Sequence, residues 1–92
     1  MKVIHENDVK NGFLGVEADG ERVALMTYTW AGDKMFIIDH TEVSEDYGHK
    51  GFGMIMVESA VEFARAQGVK IYPLCPFAKH IFDTVRSFDD VL

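Results

Sequence analysis

One stretch of the chain, Val43–Gly68, constrains the possible structures more than any other. A strand leads into a polar loop with glycines, and a helical pattern then runs to Gly68. The free N–H groups of such a loop and the partial positive charge of the helix N-terminus together suit an anion. Gly51 and Gly53 would let a ligand approach the backbone closely, since neither carries a side chain. The alternative interpretation is a glycine turn that only begins a core helix.

The helical segment after the loop is strongly apolar and leaves only a narrow polar stripe. Such a helix lies flat on a sheet and is mostly buried. Gly68 is typical of the left-handed residue that closes a helix C-terminus. At about 1.5 Å per residue, roughly 17 residues make a rod of about 25 Å. The apolar positions are Phe52, Ile55, Met56, Val57, Ala60, Val61, Phe63 and Ala64.

The segments before this stretch predict three antiparallel strands in a meander. They are Phe13–Glu17, Val23–Trp30 and Lys34–Val43, and Asp19-Gly20 between the first two is a hairpin signal. The third is apolar on both faces, which predicts a strand that is buried on both faces and central in the sheet. A short strand over Lys2–His5 is a further candidate at the N-terminus.

The segments after the long helix predict a crossover and a short final helix. Val69–Leu74 forms a strand. The strand–helix–strand unit makes a right-handed crossover, so this strand runs parallel to the third strand. Pro73 marks the point where this strand leaves its neighbour. A helix begins at Pro76 or Phe77 and ends at about Val85, and one more turn follows. The predicted fold class is α+β, with an antiparallel meander, a β-α-β crossover and a short C-terminal helix.

Length and composition limit the function classes. The 92 residues form one domain, 1–92. The net charge of −6 argues against sequence-independent binding of nucleic acid. No apolar run approaches the roughly 18 residues of a membrane span, and the charged N-terminal residues lack a signal core. A single cysteine fits a reducing compartment, so we expect a cytoplasmic protein that binds neither nucleic acid nor membrane.

The predicted topology brings the glycine loop and the single cysteine to one edge of the sheet, where ligands of parallel strand–helix–strand units bind. Cys75 precedes Pro76, which prefers the first position of a helix. The helix N-terminus then lowers the thiol pKa and favours thiolate, and Lys79 would add to this effect. The pattern predicts a reactive thiol at Cys75. The alternative is a small buried hydrophobe, which free cysteine often is.

His40 is the second candidate catalytic residue. By strand alternation it lies on the same face as Phe36 and Ile38, near the strand end, where it could act as a general base. The alternative is a histidine whose hydrogen bonds are satisfied within the sheet.

Charges in the loop favour binding through the backbone. Lys50 is its one firm cation, and His49 could touch a phosphate or be solvated. Glu42, Glu45 and Asp46 place negative charge in the same segment, so anion binding would rest mainly on N–H groups. No Cys/His cluster has zinc-type spacing, and we expect no metal.

Three blocks, DHTEV at 39–43, GHKGFG at 48–53 and CPFAKH at 75–80, follow one another in an order that resembles the small Yjdj-type branch of the GNAT acetyltransferase superfamily. The resemblance covers roughly residues 13 to 90. In GNAT proteins the acetyl-CoA loop reads Arg/Gln-x-x-Gly-x-Gly/Ala at a helix start. Gly51 and Gly53 match this motif, whereas Gly48 replaces the usual Arg or Gln.

The resemblance implies a GNAT-like fold and an acyltransferase that passes acetyl from acetyl-CoA to an amine. It also implies roles for Cys75, which would take the acetyl group or donate a proton to the departing CoA thiolate, and for His40 as the base. Val43 would pair its backbone with the pantetheine arm. The full set of implied coenzyme-binding residues is Val43, His49, Lys50, Gly51, Phe52, Gly53, Met54 and Lys79.

A full GNAT domain has extra N-terminal helices that help to form the acceptor groove, whereas this chain goes straight into strands. We therefore expect a large acceptor, a peptide or protein, or a partner chain that completes the groove. The alternative function is a CoA-binding or protein-interaction module without turnover. The missing Arg or Gln of the loop favours that alternative, and Cys75 at a helix start favours the enzyme.

Overall fold

The computed structural model describes residues 1–92 as a five-stranded sheet with helices packed on one face. The three pairings among the first four strands are antiparallel, and the last pairing is parallel. This confirms the predicted meander and crossover, except that the N-terminal segment is a full strand, so four antiparallel strands precede the long helix. The strands, in spatial order, are β1 (Lys2–Asn7), β2 (Asn11–Ala18), β3 (Glu21–Trp30), β4 (Met35–Val43) and β5 (Lys70–Pro73).

Two α-helices follow the predicted bounds closely. They are α1 (Phe52–Gln67) and α2 (Pro76–Thr84), and shorter 3₁₀ segments span Glu45–Tyr47 and Arg86–Val91. Gly68 adopts the left-handed conformation at φ 69°, and its N–H donates to carbonyls in the last turn of α1. The predicted helix stop is therefore confirmed. Neither helix has the length and apolar character that a bilayer crossing requires.

The turn between β2 and β3 also follows its prediction. Ala18 pairs with Glu21, and the two residues between them, Asp19 and Gly20, have φ angles of 53° and 82°. Positive φ at both central residues defines the hairpin turn that Asp-Gly favours. β5 likewise ends at Pro73, where the predicted departure from β4 occurs.

The core lies between the sheet and the helices as one cluster of 21 buried residues, and the buried residues of α2 belong to the same cluster. The opposite face of the sheet, called the outer face below, carries no helix, so Met35 and Ile37 of β4 are only half-buried there. The prediction that β4 is buried on both faces is therefore wrong for its outer face, because both helices pack on one side. The largest fully buried side chains are Tyr28, Phe36, Phe82, Leu14, Met26, Ile38 and Met56.

A β-bulge interrupts the alternation of β4. Tyr28 of β3 pairs with Ile38, and the preceding residue Thr27 pairs with His40, so Asp39 is an extra residue in the ladder. One inserted residue moves every later side chain of the strand to the other face of the sheet.

The bulge decides which side chains at the end of β4 face the helices. Thr41 pairs with Met26 and Val43 pairs with Ala24, and both partners belong to the buried core. His40 consequently lies on the outer face and is exposed. The prediction that His40 shares a face with the apolar residues earlier in its strand is wrong, because alternation was counted through the bulge.

Candidate functional site

An opening separates β4 from β5 at their carboxyl ends. The ladder between the two strands ends at the pair Ile38–Pro73, and the N–H of Cys75 makes a last bond of 3.0 Å to the Ile38 carbonyl. Beyond it, residues 40–43 pair only with β3, and we call this side the open edge of β4. Unpaired strand groups in such a place can accept an extended ligand as if it were another strand.

The N-terminus of α1 presents three backbone donors beside this opening. Gly51 is the N-cap at φ 77°, and no side chain caps the helix. The first helical donor is Ile55, whose N–H bonds the Gly51 carbonyl at 3.1 Å. The N–H groups of residues 52–54 have no protein acceptor, and no acidic residue lies in the first turn. Buried N–H groups are normally paired, so these three unpaired donors suit an anion that would accept their hydrogen bonds.

The loop before α1 is held by its tyrosine. The Tyr47 ring stacks on Phe52 at 5.8 Å, and its hydroxyl donates to Asp19 at 2.9 Å, which raises the pKa of Tyr47. The loop candidates His49 and Lys50 are exposed and make no hydrogen bond through their side chains. Both are therefore free to meet a charged ligand.

Phe77 lies against the start of α1. Its ring atoms occupy the space that a Cβ on Gly53 would need, so Gly53 is where the N-terminal turns of α1 and α2 meet. The Phe77 side chain is still 43% exposed. The missing side chain at Gly53 thus serves helix packing, in addition to any approach by a ligand.

Cys75 occupies the N-cap of α2, as its position before Pro76 predicts. The residue is only 5% exposed. Its thiol lies 3.4 Å from the Thr41 hydroxyl of β4, to which it donates a hydrogen bond. The cysteine and the α1 N-terminus therefore lie at the same end of the β4–β5 opening, as predicted.

The two charged candidates are engaged elsewhere. Lys79 pairs with Asp83 at 2.9 Å, one turn along α2, and both side chains are exposed. The His40 imidazole contacts the Glu42 carboxylate at 3.3 Å on the outer face. Neither side chain hydrogen-bonds to the thiol.

The sequence analysis missed two residues of this site. Thr41 was missed because of the bulge, which no local pattern signals, and Phe77 was placed only at the start of the last helix and in the CPFAKH block, without a contact to Gly53. The remaining signal for Phe77 was its place directly after Cys75-Pro76, in the segment that begins α2.

The two larger surface clefts lie on the outer face. One, of about 520 Å³, includes Thr27, Thr29 and Asp39, and another, of about 480 Å³, includes Leu25 and Glu42. His40 stands between Asp39 and Glu42 in β4, so the two clefts flank it. No group of three His, Cys, Asp or Glu side chains is arranged to hold a metal ion.

Comparison with known proteins identifies the family. Residues 13–91 match the family model of the GCN5-related N-acetyltransferases. The chain belongs to this family. Its members generally use acetyl-CoA, and the match includes both the glycine loop and Cys75.

Solved structures of N-acetyltransferases share the fold. A GCN5-like putative N-acetyltransferase from Staphylococcus aureus is 31% identical, with a TM-score of 0.71 over 96% of this chain and 85% of that one. The ribosomal-protein-alanine N-acetyltransferase from Brucella melitensis biovar Abortus is 18% identical, with a TM-score of 0.72 over 85% of this chain. The match spans only 62% of the Brucella chain, and at this identity it shows the fold alone. No curated protein sequence matches the chain.

Proposed function

We propose that residues 1–92 form a single acetyltransferase domain of the small Yjdj-type branch, which transfers acetyl from acetyl-CoA to an amine of a peptide or protein. The observation that carries this proposal is the meeting of three features at one end of the sheet. They are the unpaired N–H groups of α1, the open edge of β4 and the buried Cys75.

The coenzyme would lie along these features from phosphate to thioester. Its pyrophosphate accepts hydrogen bonds from the N–H groups of Phe52, Gly53 and Met54, and Gly51 leaves open space beside them. The exposed Lys50 adds positive charge, and the exposed His49 can contact a phosphate. These groups offset the loss of the family's usual Arg or Gln at Gly48.

The pantetheine arm would pair with the open edge of β4. The Ser44 N–H donates to Val23 of β3, so alternation turns the backbone groups of Val43 toward the open side. An arm that bonds Val43 and runs toward the bulge brings its thioester between β4 and Cys75.

Cys75 fits a proton donor better than a nucleophile. A nucleophilic cysteine is normally activated by a neighbouring base or cation. Here the thiol instead donates to a neutral hydroxyl, and Lys79 pairs with Asp83. The thiol would give its proton to the CoA sulfur as the thioester C–S bond breaks.

His40 would act as the base on the other face of β4. Its Nε2 contacts Glu42, which leaves Nδ1 to take the proton of an amine that attacks the thioester carbonyl. The acceptor would approach over the outer face, where His40 is exposed between two clefts. The amine would attack from one face of β4 while Cys75 protonates the CoA sulfur from the other. Acetyl would then pass directly from CoA to the amine in one step.

The test is release of CoA from acetyl-CoA with a panel of lysine peptides, free N-terminal peptides and small amines, followed by mass spectrometry of the acceptors. We expect acetylated acceptor with the wild type, and strongly reduced turnover in Cys75→Ala and His40→Ala. His80→Ala is the matched control, since His80 is exposed on α2. Coenzyme binding without any acetylated acceptor would instead support a non-catalytic CoA-binding module.

A further inference from the structure

The Thr41 hydroxyl is the only side-chain group that hydrogen-bonds to the Cys75 thiol. The two atoms are 3.4 Å apart, within the range for a sulfur donor. Thr41 is half-buried and Cys75 is almost fully buried, so little water competes for this contact.

The backbone fixes both residues. The N–H of Cys75 bonds the Ile38 carbonyl at 3.0 Å, immediately before the bulge residue Asp39. The bulge then turns Thr41 toward the helices, where regular alternation would have turned it outward. The contact between hydroxyl and thiol is therefore produced by the irregular part of β4.

The hydrogen-bonding capacity of Thr41 is only partly used. A threonine hydroxyl has one donor hydrogen and two acceptor lone pairs. It accepts from the Cys75 thiol, and its own hydrogen has no protein acceptor. The hydroxyl can thus rotate and donate to the sulfur once the sulfur has lost its proton.

We propose that Thr41 is a positioning residue for Cys75. Its hydroxyl accepts a hydrogen bond from the thiol at rest and donates one to the thiolate that forms during transfer. This inference rests on the proposed role of Cys75 as proton donor. The Cys75 S–H bond breaks as its proton moves to the CoA sulfur, and the Thr41 O–H then faces the Cys75 anion. A proton from water restores the thiol after CoA leaves.

Two variants separate the hydroxyl from the shape of Thr41. Thr41→Val keeps the volume and removes the hydroxyl, and Thr41→Ser keeps the hydroxyl and removes the methyl group. The infrared S–H stretching band reports the resting contact directly, because Cys75 is the only cysteine. Steady-state kinetics with acetyl-CoA reports its effect on transfer.

We expect the S–H band to move to higher frequency in Thr41→Val and to stay near the wild-type position in Thr41→Ser. Hydrogen bonds to charged groups are strong enough that kcat should fall about 10- to 100-fold in Thr41→Val. KM for acetyl-CoA should change little, and Thr41→Ser should recover most of kcat. Circular dichroism and thermal unfolding verify that both variants are folded.

An unchanged S–H band in Thr41→Val, or wild-type kcat in that variant, would overturn the inference. A loss of kcat in Thr41→Ser equal to that in Thr41→Val would also overturn it, because the methyl group would then be what matters. Failure of the proposed function shows differently, as a wild-type protein that transfers no acetyl group.

Discussion

The ring of Phe77 fills the space that a Cβ atom on Gly53 would need, and this contact joins the first turns of α1 and α2 beside Cys75. The two helices that present the proposed coenzyme donors and the proposed acid are thus held together by a glycine and an aromatic ring. Displacement of the ring should affect the site before it affects the rest of the fold.

This contact predicts strong coupling between substitutions at Gly53 and Phe77. In the Phe77→Ala background, Gly53→Ala should stabilise the protein by up to about 1 kcal/mol, because alanine favours helix over glycine. In the wild type the same change must displace the ring, which offsets the gain. Denaturant unfolding of the two single variants and the double variant measures the coupling.

Gly48→Ala is the control for this cycle, since Gly48 has an ordinary helical φ of −60° and a Cβ added there would meet no atom closer than the Glu45 carbonyl oxygen at 3.6 Å. Its effect should be the same with or without Phe77. Additive effects of the Gly53 and Phe77 substitutions would show that the ring does not rest on Gly53 in solution.

Acetyl-CoA should stabilise the native protein. A ligand that binds only the folded state at 100 times its dissociation constant adds about 2.7 kcal/mol, which raises Tm of a domain of this size by on the order of 10 °C. Pantetheine, which lacks the pyrophosphate, should give a much smaller shift, because the N–H groups of residues 52–54 stay unpaired. A flat Tm at millimolar acetyl-CoA would contradict the assigned coenzyme site.

Substitutions of Cys75 distinguish its two chemical roles. Cys75→Ala should keep coenzyme binding, since the backbone supplies most contacts, and should lose transfer. Cys75→Ser keeps a hydroxyl that can donate a proton weakly, so partial activity supports the acid role. No activity in Cys75→Ser, together with an acetylated Cys75 in the mass spectrum of the wild type, would show covalent catalysis instead.

His5 should make stability depend on pH near neutrality. Its Nε2 donates to the Tyr28 hydroxyl at 2.7 Å, because that hydroxyl donates its own hydrogen to Asn7. The imidazole also packs edge-on against Phe63, and this partial burial of an otherwise exposed residue lowers the pKa of His5 below its usual value. Burial raises the pKa of Tyr28 to about 12, so Tyr28 stays protonated throughout.

The sign of the pH effect follows from this lowered pKa. Below about pH 6.5 the unfolded chain binds a proton at His5 more readily than the native protein does, so the free energy of unfolding falls as pH falls. Above that pH, the contribution of His5 to the free energy of unfolding is fully present. Between about pH 7.5 and 5.5, the wild type should therefore lose more stability than His5→Gln. Equal pH dependence of the two proteins would show that His5 is not covered in solution.

The residues that sequence analysis predicted well are those whose structure is set by near neighbours. Gly68 ends α1, Asp19-Gly20 forms the hairpin turn, and Pro76 begins α2, each because of its own backbone preferences. These elements suffice to bring Val43 and Cys75 to the same end of the sheet.

The details that sequence analysis missed depend on contacts between distant segments. The bulge at Asp39 is fixed by how β4 pairs with β3, and it puts Thr41 on the face that was predicted for His40. The contact of Phe77 with Gly53 depends on how two helices meet, which neither helix encodes alone. Strand alternation and helix periodicity contain no information about the bulge or about the contact between the two helices.

The most direct test of the coenzyme site is an amide NMR titration of the labelled protein with CoA. We predict the largest shifts at Phe52, Gly53 and Met54, with further shifts along the open edge of β4 at Val43 and at Cys75. Pantetheine, which carries no phosphate, should shift the strand residues and leave the α1 amides nearly unchanged. Shifts confined to the outer face, or no shifts at millimolar CoA, would contradict the account.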